Sequence, residues 1–184
     1  MGRKTADILH WIEDKIEKEV GACASSAEWI KTASGVKDLL QHLLNSTEMF
    51  KSAYLLIYGS LLNSLVLDSS SDLDLCLVLP DSLGMSQMQV LKEVSFVFRT
   101  HRKNLEENFG LSIAEMMDPF WFSQGCILKL TLEYQGFGIK VEILVNKILE
   151  VRNSELLRQY ALQDHRFRNI CIVLKRWNRY QDED

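Results

Sequence analysis

Two carboxylates two residues apart can do chemistry that neither does alone, and Ser71-Asp72-Leu73-Asp74-Leu75 sets such a pair inside an apolar run. On a strand, alternation sends Asp72 and Asp74 to one face and Leu73 and Leu75 to the other. Side by side and partly out of water, the two charges repel and are costly to bury. A pair of Mg²⁺ ions about 3.5–4 Å apart removes that cost and clamps the attacking and leaving oxygens of an in-line phosphoryl transfer. With eleven aspartates in the chain, one Asp-x-Asp pair lies within chance, and Asp182-Glu183-Asp184 supplies a second one in a polar tail. The surroundings of the first pair are what distinguish it.

Upstream, an apolar run ends at Gly59-Ser60, where a strand-to-helix turn would offer backbone N–H groups and a hydroxyl to a phosphate. Downstream, in Lys140-Val141-Glu142-Ile143-Leu144-Val145, Glu142 is the polar residue of a strand otherwise apolar after Lys140. It is either a third carboxylate for the same site or a strand position facing solvent.

The elements that would carry these residues are set by periodicity. Apolar spacings of three and four predict amphipathic helices over residues 5–20 and 26–49. Residues 53–58 and 73–79 read as buried strands, the second closed by Pro80 and a turn over 81–84. Ser86 is placed to N-cap a long helix running to Phe109, with Gly110 in the stop position. Strands are predicted over 113–117, 127–134 and 137–145, the last two joined as a hairpin at Gln135-Gly136. Helices over 153–162 and 167–180 close the chain.

Composition bounds the reading. The 184 residues are 47% hydrophobic with only two prolines, enough for one domain with a sizeable core and unlike a collagen or a disordered tail. Lys plus Arg is 21 against 25 for Asp plus Glu, a net charge of −4, so any anion site must be local. One exists between Arg152 and Tyr180, where Arg152, Arg158, Arg166, Arg168, Lys175, Arg176 and Arg179 stand against only Glu155 and Asp164. Cys23, Cys76, Cys126 and Cys171 form no CxxC pair and read as free thiols of a reducing compartment. The acidic N-terminal residues do not resemble a transit peptide, and no apolar run approaches a membrane span. The expected location is cytoplasmic or nuclear with no membrane association, an organelle staying open.

The block Gly59-Ser60, Asn63 and Ser71-Asp72-Leu73-Asp74-Leu75 resembles the signature of the DNA polymerase beta-like nucleotidyltransferases, specifically the template-independent poly(A) and poly(U) RNA polymerases. Residues 140–180 are similar to the corresponding downstream stretch of that group: a third-carboxylate strand, an Asn-x-x-Leu-Leu helix start and a Lys-x-Trp-x-Lys/Arg helix. The likeness runs in order over residues 50–180.

The resemblance implies an α+β fold, a mixed-sheet palm-like domain with flanking N- and C-terminal helices. Residues 1–50 would be helices packing on the core, 51–150 the catalytic sheet, and 151–184 the first helices of a truncated central domain. It also implies residue roles. Asp72, Asp74 and Glu142 would be the catalytic metal ligands, holding Mg²⁺ or Mn²⁺, with Glu142 beside the attacking 3′ hydroxyl. Gly59, Ser60 and Ser71 would contact the ribonucleoside triphosphate, Lys129 would lie near it, and Asn153 would read the ribose. Lys175 and Arg179, at i and i+4 on one helix face, would hold the β- and γ-phosphates. The implied activity is transfer of nucleotides from a ribonucleoside triphosphate to an RNA 3′ end.

Three departures from the family pattern carry consequences. Glu142 replaces an aspartate and carries its carboxylate one methylene further; a misplacement of about 1 Å can cost roughly 10²-fold in rate. Ser64 stands where a glycine follows Asn63. The sequence stops at Asp184, just past the Lys175–Arg179 helix, which in the family enters a second helical domain. Another chain or that domain is therefore expected to cover an apolar patch of Ile170, Ile172, Val173, Leu174 and Trp177. The alternative is a catalytically degenerate nucleotidyltransferase-fold subunit with a structural or interaction role in a larger complex.

Overall fold

Alternating apolar residues build one mixed sheet in the computed structural model, which describes residues 2–22, 27–68, 71–80, 84–122 and 125–182. Its strands are β1 (Tyr54–Tyr58), β2 (Leu73–Val78), β3 (Ser112–Met116), β4 (Phe120–Phe122), β5 (Gly125–Tyr134) and β6 (Phe137–Val145). They lie in the order β1-β2-β6-β5-β3, with β4 pairing the start of β5. The β2–β6 pair is parallel and the others are antiparallel. The helices are α1 (Gly2–Ala22), α2 (Ala27–Asn45), α3 (Gly59–Leu62), α4 (Gln87–Thr100), α5 (Arg102–Phe109), α6 (Ile148–Gln163) and α7 (His165–Asp182), with a 3₁₀ turn at Glu48–Phe50.

Leu73, Leu75 and Leu77 of β2 are fully buried in one cluster with Trp29, Val36, Leu40 and Leu44 of α2 and Leu91, Val94 and Phe98 of α4. Each such side chain contributes about 1.5–3 kcal/mol by leaving water. The opposite face is covered only in part. There Cys76, Ile127 and Leu144 pack with Ile148 and Val151 of α6, while Asp74, one step along β2 on the same face, stays half-buried. The site lies where this second layer stops.

Local signals hold where they are self-contained. Ser86 Oγ accepts from the Gln89 N–H and Gln89 Oε1 accepts from the Ser86 N–H, a reciprocal cap. Gly110 is left-handed (φ 66°), and the Leu111 N–H returns to the Leu105 carbonyl. Gln135 and Gly136 both have positive φ, as a two-residue hairpin turn requires. Gln41 closes the free edge of β1, accepting from the Leu55 N–H and donating to the Ala53 carbonyl, which mimics a neighbouring strand.

Three expectations change. The helix over 86–109 is two helices, broken at His101 (φ −98°, ψ 9°). Arg102 donates to the Ile113 carbonyl of β3, so α5 turns toward that strand and buries Leu105. The helix expected over 153–162 begins earlier, at Ile148, because Ile148 and Val151 have the sheet to pack on. The strand β4 and the short helix α3 are additions, both too brief to show a period. The expected helix start at Ser26, the turn residues 81–83, Cys23 and the last two tail residues lie outside the described residues. Cys76 and Cys126 are buried thiols and Cys171 a half-buried one. Among the described residues no helix is long and apolar enough to cross a membrane.

Candidate functional site

Strand register assembles the site. Parallel pairing sets Asp74 opposite Glu142, while antiparallel pairing sets Tyr58 opposite Asp74 and Lys129 opposite Glu142. Tyr58, Asp74, Glu142 and Lys129 therefore form a row across four strands, with directly opposed positions about 4.5–5.5 Å apart. Asp72 lies two residues before Asp74, toward the same side.

The row is short of positive charge. Burial first, then Glu142 and Asp72, push the Asp74 carboxyl up to about 7, although Lys175 and the Ser60 backbone N–H act in the other direction. Burial and Glu142 raise Asp72 as well. Burial, followed by the charges of Asp74 and Glu142, also raises the Tyr58 phenol. Lys129 Nζ meets Glu142 Oε1 at 2.5 Å, and a cavity of about 210 Å³ beside them is lined by Asp72, Glu115, Lys129, Thr131, Lys140 and Glu142.

The turn after β1 completes the site. Gly59 has φ +67°, and a Cβ there would overlap Asp74 Oδ2, so both the backbone and the space demand glycine. The Ser154 hydroxyl of α6 accepts from the Gly59 N–H at 2.8 Å. From α7, Lys175 Nζ donates to Ser60 Oγ at 2.6 Å and to the Leu65 carbonyl at 3.0 Å. Burial, then Arg179, hold this ammonium below the ordinary lysine value. Arg179, one turn further on, pairs with Asp68 at 2.7 Å, and the buried Ser71 donates its N–H to the Asp68 carbonyl. Buried Asn63 accepts from the Leu65 N–H, and Ser64 takes φ +61°. A serine held left-handed costs about 1 kcal/mol, so Ser64→Gly is expected to raise Tm by about 2–4 °C in a thermal melt.

The structure thus brings together Asp72, Asp74, Glu142, Gly59, Ser60, Lys129 and Lys175, with Ser71 and Arg179 on the adjoining loop and helix. Asn153 is exposed on α6, and it is its neighbour Ser154 that turns inward. Lys129 engages Glu142 directly. Tyr58 and Ser154 carried no sequence signal, since one ends an apolar run and the other sits in a polar stretch of helix. The basic C-terminal segment is partly neutralised: Arg158, Arg166, Arg176 and Arg179 pair with Glu155, Asp164, Glu19 and Asp68. The expected apolar patch is also redrawn. Ile170, Leu174 and Trp177 are exposed, Val173 is half-buried, and Ile172 is buried against Leu65 and Leu67.

Among the described residues no three His, Cys, Asp or Glu side chains already converge on a metal position. The donors nonetheless suit a hard divalent cation, being all oxygen, and at Asp74 burial and the neighbouring carboxylates outweigh the opposing charge of Lys175. Glu142 would have to turn from Lys129 to join them.

Known proteins resemble the chain in both sequence and shape. Poly(A) RNA polymerase GLD2-B of Xenopus laevis is 28% identical over 130 residues, 71% of this chain and 24% of that protein. GLD2 of Bos taurus is 24% identical over 174 residues, 92% of this chain and 34% of that one. The chain therefore spans about a quarter to a third of the length of the curated relatives it matches. A GLD-2/RNP-8 complex structure aligns at a TM-score of 0.74 and 21% identity, over 90% of this chain and 48% of that one. The Cid1 poly(U) polymerase with Mg 3′-dATP bound aligns at 0.71 and 20%, over 90% and 46%. These solved structures share the fold. The model of the poly(A) RNA polymerase, mitochondrial-like, central palm domain matches residues 12–162, from α1 through the sheet to α6, and the chain belongs to that nucleotidyltransferase family.

Proposed function

We propose that this chain supplies the catalytic face of an enzyme that adds nucleotides from a ribonucleoside triphosphate to the 3′ end of an RNA. The observation that carries the reading is the row of Asp74 and Glu142, with Asp72 beside it, abutting the Gly59–Ser60 turn. When bound at Asp72, Asp74 and Glu142, Mg²⁺ or Mn²⁺ supplies charge neutralisation and Lewis-acid stabilisation of the phosphoryl oxygens.

The chain's own residues do the rest. The Gly59–Ser60 turn, Ser71, Lys175 and Arg179 hold the triphosphate, and Asn153 meets the ribose from the exposed side of α6. The RNA 3′ oxygen bonds to the α-phosphorus as the bond to the bridging oxygen breaks. Pyrophosphate leaves with the electron pair, and the hydroxyl proton passes to the Glu142 carboxylate. Lys129, paired with Glu142 in the metal-free chain, is released toward the nucleotide when Glu142 turns to the metal.

The outer surfaces of α6 and α7 fit a further domain or another protein chain. Leu149, Leu156, Tyr160, Ile170, Leu174 and Trp177 are all at least half exposed. Covering these side chains with such a partner would take apolar surface out of water.

Extension of a labelled RNA oligonucleotide with Mg²⁺ and each ribonucleoside triphosphate tests the reading. Extension is expected to require the divalent ion and to be lost in Asp74→Ala. No extension by well-folded protein, alone or with the covering partner, would favour the non-catalytic subunit.

A further inference from the structure

The Gly59 turn is held from outside its own loop. Its first two N–H groups face different elements: that of Gly59 donates to Ser154 Oγ on α6, while that of Ser60 acts electrostatically on the Asp74 carboxylate of β2. The Ser154 hydroxyl is fully committed. It donates to the Glu150 carbonyl at 2.8 Å, which fixes its hydrogen and aims a lone pair at Gly59, also at 2.8 Å. At 6% exposure, Ser154 leaves little access for a water that could replace it.

We propose that Ser154 is a positioning residue for nucleotide binding. By taking up the Gly59 N–H it fixes the first peptide of the turn, leaving the Ser60 N–H for Asp74. Without the hydroxyl, the part-buried Gly59 N–H loses its acceptor beside the Asp74 carboxylate, which lies against its Cα. Two amides would then compete for the carboxylate that the proposed function assigns to metal, and the turn would lose its fixed orientation toward the triphosphate. Ser154 thus ties α6, 95 residues away in sequence, to the phosphate-binding turn. The inference rests on the proposed nucleotide site and adds to it a residue that acts through the Gly59 turn.

The test uses the whole chain, with Mn²⁺ and either ATP or UTP as probes. Calorimetry is expected to show Kd raised about 10-fold in Ser154→Ala and kept within about 3-fold in Ser154→Thr, which retains the acceptor; one lost hydrogen bond in a buried site is of that order. Amide exchange of Gly59 is expected to accelerate in Ser154→Ala alone, a local change that a general loss of stability would not confine to that residue. If Ser154→Ala does not fold, Ser154→Cys, which keeps the volume and weakens the acceptor, gives the same readings. Wild-type affinity in a folded Ala or Cys variant overturns the positioning role and leaves the nucleotide site standing. A wild-type chain that binds neither probe overturns both.

Discussion

Asp74→Asn is expected to stabilise the metal-free protein while removing the proposed RNA extension. The carboxyl is raised to about 7 by burial and by the charges of Glu142 and Asp72. Between about pH 4 and pH 7 the folded chain therefore binds this proton more tightly than the unfolded chain. The stability gained from Asp74 is present below about pH 4 and is lost as pH rises through about 7. A tenfold difference in proton affinity between the folded and unfolded chains is worth about 1.4 kcal/mol, and allowing for water and ion screening the net strain at pH 8 is of order 1–3 kcal/mol. Asparagine keeps the volume and the acceptor for the Ser60 N–H but cannot ionise. Thermal melts in chelator should show the variant close to wild type at pH 4 and above it by about 2–10 °C at pH 8. Mg²⁺ should then raise the wild-type Tm and leave the variant's unmoved. A variant less stable than wild type at pH 8 would show that this carboxylate is not strained. RNA extension should fall by more than about 100-fold, a loss reached when even the outer partners of a metal site are disturbed.

The second large effect is expected at Gly59. An alanine there adopts a left-handed backbone at a cost of about 1 kcal/mol, and its Cβ lands on Asp74 Oδ2. The carboxylate has to move by about 1 Å, which lowers the rate by roughly 10²-fold with the fold retained. Gly110→Ala is the matched control. Gly110 has nearly the same φ, +66°, but no atom lies within 4 Å of where its Cβ would be. Gly110→Ala should lose a few degrees in Tm and Gly59→Ala more, since its Cβ also displaces Asp74, and only Gly59→Ala should lose RNA extension. Equal rates in the two would separate the turn from the chemistry.

Features that read from sequence are those that act over a few residues. The Ser86–Gln89 cap, the Gly110 stop and the Gln135-Gly136 turn each close hydrogen bonds within their own segment. Alternation along β2 also decides that Asp72 and Asp74 share a face, since a strand has a period of two wherever it sits. The glycine at position 59 reads as a turn for the same reason, because its backbone conformation is a local property.

The break at His101 was not legible in the same way, because Arg102 reaches the Ile113 carbonyl only once β3 is in place. Ile172 fits the helical apolar face of α7, yet it is buried under residues of a loop more than a hundred positions earlier. The carboxylate pair, its strand, the Gly59–Ser60 turn and the basic helix face are all written in the order of the residues. Folding adds the encounters between them: Asp74 faces Glu142, Lys129 grips Glu142, Lys175 reaches Ser60 and Ser154 holds Gly59. Those contacts depend on parallel register and on helices docking over long separations, where burial of both faces of the sheet outweighs any preference of the residues concerned.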